Sequence, residues 1–199
     1  SINVASVRSE LKGGAAYLKV SQFNGLTVRT AKAGLRKLLL ENPTGAIVDL
    51  RNNPGGFLSS SVEFSGMFLK EGELVVQESF ADGKTTDHRV AETPDFPDVK
   101  LIVLVNGGSA SASEIVAGAL RDYKRATIIG ETSYGKGSVQ TPQDLPGGSS
   151  VHITTGKWIT PKGEWISKKG IVPDVMVALD DTRPMFDTHL EKAVEYLLK

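Results

Sequence analysis

Two hydrophobic patterns alternate along the chain. Short, mainly apolar runs at Ala46–Leu50, Leu101–Val105 and Ala126–Gly130 have the length and β-branched content of buried strands. Between them lie helical periods. From Thr27 to Leu40, Val28, Ala31, Leu35, Leu38 and Leu39 share one face, and Asn42-Pro43-Thr44-Gly45 stops the helix. A small-residue helix is expected from about Leu58 to Leu69, an amphipathic one from Ile115 to Tyr123, and a closing one from Thr188 to Leu198 with Leu190, Ala193, Val194 and Leu197 on one face. Gly13–Val20 reads as a turn and strand, Leu74–Glu78 with Asp82-Gly83 as a hairpin, and Ser150–Trp158 as an alternating strand. Pro142, Pro146 and Gly147-Gly148 mark turns before that strand. Strand, glycine turn and helix recur in that order, which predicts an α/β fold with mixed strands in a single domain spanning residues 1–199.

Charge and cysteine content narrow the function. Basic and acidic residues balance at 23 each with no basic block, which argues against nucleic acid as a partner. The absence of cysteine excludes disulfides, thiolate catalysis and cysteine-based metal sites, and leaves the compartment open. No apolar run reaches the roughly 20 residues needed to span a bilayer, and Ser1-Ile2-Asn3-Val4-Ala5 lacks the features of a signal peptide. Those first residues read as a strand without an initiating methionine, so a fragment or processed form is expected.

Three segments could carry chemistry. Asn106-Gly107-Gly108-Ser109-Ala110-Ser111-Ala112-Ser113-Glu114 joins an apolar strand to a helix, so a hydroxyl and unpaired backbone N–H groups meet at one turn. Ser111-Ala112-Ser113-Glu114 also fits a capping box, in which the hydroxyl only satisfies the helix start. Lys136 lies in Gly130-Glu131-Thr132-Ser133-Tyr134-Gly135-Lys136-Gly137-Ser138-Val139-Gln140. The glycine and lysine spacing mimics a phosphate-binding loop, but Gly137 replaces the magnesium-binding hydroxyl and no helix follows. Ser133-Tyr134-Gly135-Lys136 also fits an S-x-x-K dyad, yet its glycines deny the helix that motif requires. Asp49-Leu50-Arg51-Asn52-Asn53-Pro54-Gly55-Gly56 is a glycine turn after a strand, able to aim backbone N–H groups outward. His88, His152 and His189 occupy unrelated surroundings without metal spacing and read as structural or surface residues.

Together these segments resemble the carboxyl-terminal processing, or tail-specific, serine peptidases. Asp49–Gly56 is similar to that family's D-L-R-x-N-P-G-G loop and Asn106–Ala119 to its N-x-x-S-A-S-A-S-E-I-x-A-G-A block. Gly130–Gln140 resembles G-x-x-x-x-G-K-G-x-x-Q, and Gly170-Ile171-Val172-Pro173-Asp174 the late G-I-x-P-D signature. The resemblance implies Ser111 as nucleophile, Lys136 as general base and Gln140 as the residue orienting the lysine. The N–H of Ala112 and that of Gly56, or of Gly55, would form the oxyanion hole. A serine attacks only after losing its proton, and a lysine takes that proton only as the neutral amine, so Lys136 should be mostly desolvated.

The implied fold is a spiral of β-β-α units like that of the Clp-peptidase and crotonase superfamily. The implied function is a serine endopeptidase cleaving polypeptides near free C-terminal tails through an acyl-enzyme, without metal or organic cofactor, in the periplasm or another extracytoplasmic space. Members usually carry a PDZ domain and a preceding helical segment. Neither is in this sequence, which is expected to be the peptidase core, either cut from a longer chain and served by a separate PDZ domain as partner or a natural short member that recognises tails by another route. The competing reading is a non-catalytic binding module on the same scaffold.

Overall fold

A computed structural model describes residues 5–145, 149–179, 182 and 186–199. Its elements run β1 (Val7–Lys12), β2 (Ala15–Val20), α1 (Thr27–Leu39), β3 (Ala46–Asp49), α2 (Leu58–Gly66), β4 (Leu74–Phe80), β5 (Thr85–Arg89), β6 (Leu101–Val105), α3 (Ala112–Asp122), β7 (Thr127–Gly130), β8 (Ser138–Asp144), β9 (Ser150–Ile159), β10 (Val175–Met176) and α4 (Thr188–Leu197). The main sheet has the order β1-β2-β3-β6-β7-β10 and is parallel from β2 to β10, with β1 antiparallel at its edge. A second, antiparallel sheet has the order β5-β4-β9-β8.

The apolar runs lack polar alternation because both faces of the main sheet are covered. Ala16, Leu18, Val48, Val103, Val105 and Ile128 enter one core with residues of α1, α2 and α3. Their neighbours Tyr17, Ile47, Ile102, Leu104 and Ile129 enter a second core against Ala193 and Leu197 of α4. Parallel strands buried on both sides read as continuous apolar runs. The turns that leave β3 and β6 therefore emerge side by side at the carboxyl ends of adjacent strands, where α/β sheets bind ligands.

The structure departs from the sequence expectation at β1, which no pattern announced, at α3, which starts at Ala112 rather than Ile115, and at three further places. α2 ends at Gly66, and the chain from Met67 to Leu69 turns while its side chains stay buried. The stretch around Pro142 is not a turn but part of β8. β8 is the outer strand of its sheet, where a residue without an N–H costs no ladder hydrogen bond if it faces outward. β10, only two residues long, gave no periodic signal. The expected turn at Pro146 and Gly147-Gly148 and the strand reading of Ser1–Val4 lie outside the described residues.

Candidate active site

The two turns are laced together. Leu50 N–H donates to Leu104 O (2.9 Å) and Ala110 N–H to Asn53 O (3.0 Å). Asn52 and Asn106 pair reciprocally, main-chain N–H to Oδ1 at 2.8 Å and Nδ2 to Oδ1 at 3.0 Å. Two of the three serines serve this lacing. Ser109 Oγ accepts from Asn106 N–H (3.0 Å) and donates to Leu50 O (2.8 Å), while Ser113 Oγ donates to Asn53 O (2.9 Å). Both are fully buried. Ser111 is half-buried, and its hydroxyl makes no cap hydrogen bond. Residue type could not separate the three serines; their hydrogen bonds do.

Ser111 sits at the N-cap of α3 with φ 56° and ψ −118°, a strained conformation for a residue with a β-carbon. The capping-box glutamate is in place, accepting the Ser111 N–H on Glu114 Oε2 (2.9 Å). The Glu114 N–H donates to the Ser111 carbonyl (2.8 Å). Both halves of the capping box are in place, with the Ser111 side chain facing the Glu114 N–H, but that N–H makes its hydrogen bond to the Ser111 carbonyl, so no cap hydrogen bond holds the hydroxyl.

Glu114 does more than cap. It is only 1% exposed, and it accepts three further hydrogen bonds, all from the lysine loop: Lys136 N–H on Oε2 (2.9 Å), Gly135 N–H on Oε1 (2.6 Å) and Ser133 Oγ on Oε1 (2.5 Å). Ser133 Oγ in turn accepts from Ile171 N–H (2.7 Å), which draws in the segment that begins at Gly170. One buried carboxylate thus gathers three of the four sequence blocks, and its desolvation is offset by four donors. Sequence reading had given Glu114 only a capping role; what it lacked was the burial of the side chain.

The oxyanion donors can be sorted by their partners. Gly55 N–H donates to Asn53 Oδ1 (2.9 Å) and is occupied, contrary to the expectation that it could serve as a donor. Gly56 bridges Phe23 in parallel: Phe23 N–H donates to Gly55 O and Phe57 N–H to Phe23 O, each at 2.9 Å. That pattern turns the Gly56 N–H to the opposite side. Neither Gly56 N–H nor Ala112 N–H has a hydrogen-bond partner among the described residues. Ala112 opens α3, so its N–H also carries the partial positive charge of a helix start. Gly55 lies against Ser111 and the Ala112 nitrogen, which brings the two turns into contact.

Other expected features are not assembled. Lys136, expected to be mostly desolvated, is half-buried, and no hydrogen bond joins its ammonium to the Ser111 hydroxyl. Gln140 is exposed on β8 opposite Thr154 and makes no hydrogen bond to Lys136. His88 pairs with Glu78 (2.8 Å), His189 is buried in α4 with its Nε2 on Val177 O (2.7 Å), and His152 lies on β9 with its side chain outside the described atoms. Among the described residues no group of three or more His, Asp or Glu could hold a metal ion, and no helix is long and apolar enough to cross a membrane. A groove of about 530 Å³ between α1, α2 and residues 89–95 is lined by neither Ser111 nor Lys136.

The glycine turn is also anchored from behind. Asp49, 1% exposed, accepts from Tyr17 Oη (2.5 Å), Lys19 Nζ (3.1 Å) and the Arg51 guanidinium (3.0 and 2.6 Å). Arg51 also grips Asp187, the N-cap of α4, with two bonds of 2.7 Å. Burial alone would raise the Asp49 carboxyl, but Arg51, with Lys19 and Tyr17, outweighs it and holds the group below the ordinary carboxylate range. Asp187 is lowered in the same way, with burial opposed by Arg51 and the Leu190 amide. The Tyr17 hydroxyl is pushed up by burial and by the adjacent Asp49 charge.

Adjacent turns of a parallel sheet present a serine at a helix start, two N–H groups unpaired among the described residues and a tethered lysine loop, and the chain belongs to peptidase family S41, whose profile matches residues 14–177. Its relatives are carboxy-terminal processing proteases. The protein of that name from Bartonella bacilliformis is 43% identical over 183 residues, covering 88% of this chain and 42% of the relative. Carboxy-terminal processing protease CtpA of Bacillus subtilis is 37% identical over 182 residues, covering 91% and 39%. Among solved structures, the photosystem II D1 C-terminal processing protease superposes with a TM-score of 0.81 at 30% identity, over 100% of this chain and 54% of that one. The chain thus spans about two fifths of the length of these curated relatives.

Proposed function

We propose that this chain is the catalytic core of a serine peptidase that cleaves polypeptides near their C-terminal tails. Ser111 Oγ attacks the scissile carbonyl carbon while the neutral Lys136 amine takes its proton. The oxyanion of the tetrahedral intermediate accepts from Gly56 N–H and Ala112 N–H. The lysine then protonates the departing amine, and water, activated by the same amine, hydrolyses the Ser111 ester. Gln140 would orient the lysine once substrate is bound. The observation that carries the reading is the hydrogen-bond sorting at the turns: Ser109 and Ser113 are committed to carbonyls, whereas the Ser111 hydroxyl donates to none and makes no cap hydrogen bond, and the N–H groups of Ala112 and Gly56 have no partner among the described residues.

Phe57, which follows the oxyanion glycine, and Tyr134, within the lysine loop, are 61% and 68% exposed and offer apolar contact to a bound chain. The order of the elements, with β-strands leading into each of the four helices, supports the β-β-α spiral of the wider superfamily. An extracytoplasmic setting and a separate PDZ domain that delivers tails are part of the same reading.

Incubation with an unfolded, apolar-tailed polypeptide tests it. Cleavage should rise with pH and vanish in Ser111→Ala and Lys136→Ala. Equal cleavage by Ser111→Ala would overturn the assignment. Tight binding of an apolar ligand by a chain whose Ser111 resists phosphonate labelling would favour a binding module instead.

A further inference from the structure

We infer that Glu114 is the positioning residue of the dyad, the group that sets where Lys136 stands relative to Ser111; this rests on the reading above. Ser111 N–H and Lys136 N–H donate to the same oxygen, Glu114 Oε2, each at 2.9 Å. The two main-chain nitrogens are therefore held within two hydrogen-bond lengths of one another by a single atom. Oε1 repeats the arrangement on the far side of the lysine loop with Gly135 N–H and Ser133 Oγ.

Glu114 is confined in its turn. It is one turn into α3, where Ile115, Val116 and Ala117 are also buried, so its backbone cannot drift. The loop it holds has glycines at 135 and 137 and no regular structure of its own from 132 to 137. A loop of that kind keeps no fixed geometry unless an outside group imposes one. A β-carbon at Gly135 would lie 2.9 Å from Gly170 N and one at Gly137 would lie 2.4 Å from Ser167 N, so the loop is clasped between the carboxylate and the segment from Ser167 to Gly170.

The chemistry explains why a carboxylate is needed. Four donors converge on two oxygens, and only an ionised carboxylate offers acceptor sites on both. A glutamine would turn an NH2 group toward at least one N–H or O–H donor and release that part of the loop. An aspartate would keep the charge but fall one methylene short of the loop. In either case Ser111 and Lys136 remain present and the distance between them is lost. A misplacement of about 1 Å costs on the order of a hundredfold in rate.

The test has two arms. In the first, amide resonances of Ser111, Gly135 and Lys136 are followed in ¹⁵N-labelled protein. Glu114→Gln should move all three together, and a shift confined to Ser111 would reduce Glu114 to a cap and overturn the proposal whether or not the chain is a peptidase. In the second, peptide hydrolysis by Glu114→Gln and Glu114→Asp should show kcat lowered about a hundredfold with KM within about threefold, per folded molecule. If those variants do not fold, Ser133→Ala, which deletes one donor and leaves the carboxylate, should lower kcat several-fold at unchanged KM. Wild-type kcat in folded Glu114→Gln, or in Ser133→Ala where Glu114→Gln does not fold, overturns the positioning role. A wild-type protein that never cleaves while the three amides still shift together removes the peptidase reading instead, and leaves Glu114 as the clasp between the two segments.

Discussion

Gly55 lies directly against Ser111: a β-carbon built on Gly55 would stand 2.7 Å from Ser111 Cβ, 2.9 Å from Ala110 O and 3.0 Å from Ala112 N. Its φ of 108° adds strain to any side chain there. The turn after β3 therefore supports the nucleophile turn by contact, even though its N–H is spent on Asn53. Gly55→Ala should push Ser111 and the Ala112 N–H apart, costing about 1–3 kcal/mol in stability and a hundredfold or more in kcat. Urea denaturation and peptide kinetics on the same preparation would check both. An active Gly55→Ala variant would show that the two turns can separate without loss.

The three serines should respond differently to alanine. Ser111→Ala removes no hydrogen bond of the hydroxyl, so stability should stay within about 0.5 kcal/mol while activity disappears. Ser113→Ala removes one donor from Asn53 O, which still accepts Ala110 N–H, and should cost about 1 kcal/mol. Ser109→Ala strips the partner from Asn106 N–H and should cost about 1–3 kcal/mol. Melting curves of the three variants, read beside their cleavage rates, give the comparison. Equal destabilisation in all three would mean that Ser111 is bonded like its neighbours.

Much of this was legible in the chain. The runs at β3, β6 and β7 announced buried strands of an α/β fold, though not their parallel order, and the five apolar positions of α1 fell on the buried side of the helix or its margin. What escaped was set by position in the assembled sheet. Pro142 reads as a turn locally and is tolerated in β8 only because β8 is an outer strand. Glu114 reads as a capping acid because a four-residue window cannot show three donors arriving from residues 133–136. Ser111 could be chosen over Ser109 and Ser113 only through the resemblance of the blocks. Carbonyls at Leu50 and Asn53, some sixty residues earlier, are what distinguish them physically.

Gln140 should prove secondary to Lys136. It is exposed on β8 and makes no hydrogen bond to the lysine, so any orienting bond has to form when substrate is bound. Gln140→Ala is expected to lower kcat/KM on the order of tenfold, about 1.4 kcal/mol of barrier, against complete loss in Lys136→Ala. Single-turnover acylation of both variants would measure the difference. A Gln140→Ala protein as inactive as Lys136→Ala would mean that the glutamine already holds the lysine in the free protein.

Acid should loosen the glycine turn before it unfolds the sheet. Asp49 and Asp187 have native carboxyl groups held below their ordinary values, near 3.9 when unfolded. The unfolded chain therefore binds protons that the native chain refuses, and stability rises with pH across that window. The contribution is fully present above about pH 5 and is lost as pH falls through the depressed native values. Urea midpoints measured between pH 2 and 7 should fall steeply below about pH 4. Arg51→Ala leaves Asp49, 1% exposed, without its main partner and should cost about 3–5 kcal/mol at neutral pH. The same variant should flatten the acid slope, because Asp49 no longer resists protonation. An Arg51→Ala protein that keeps the wild-type slope would place the acid sensitivity elsewhere than in this network.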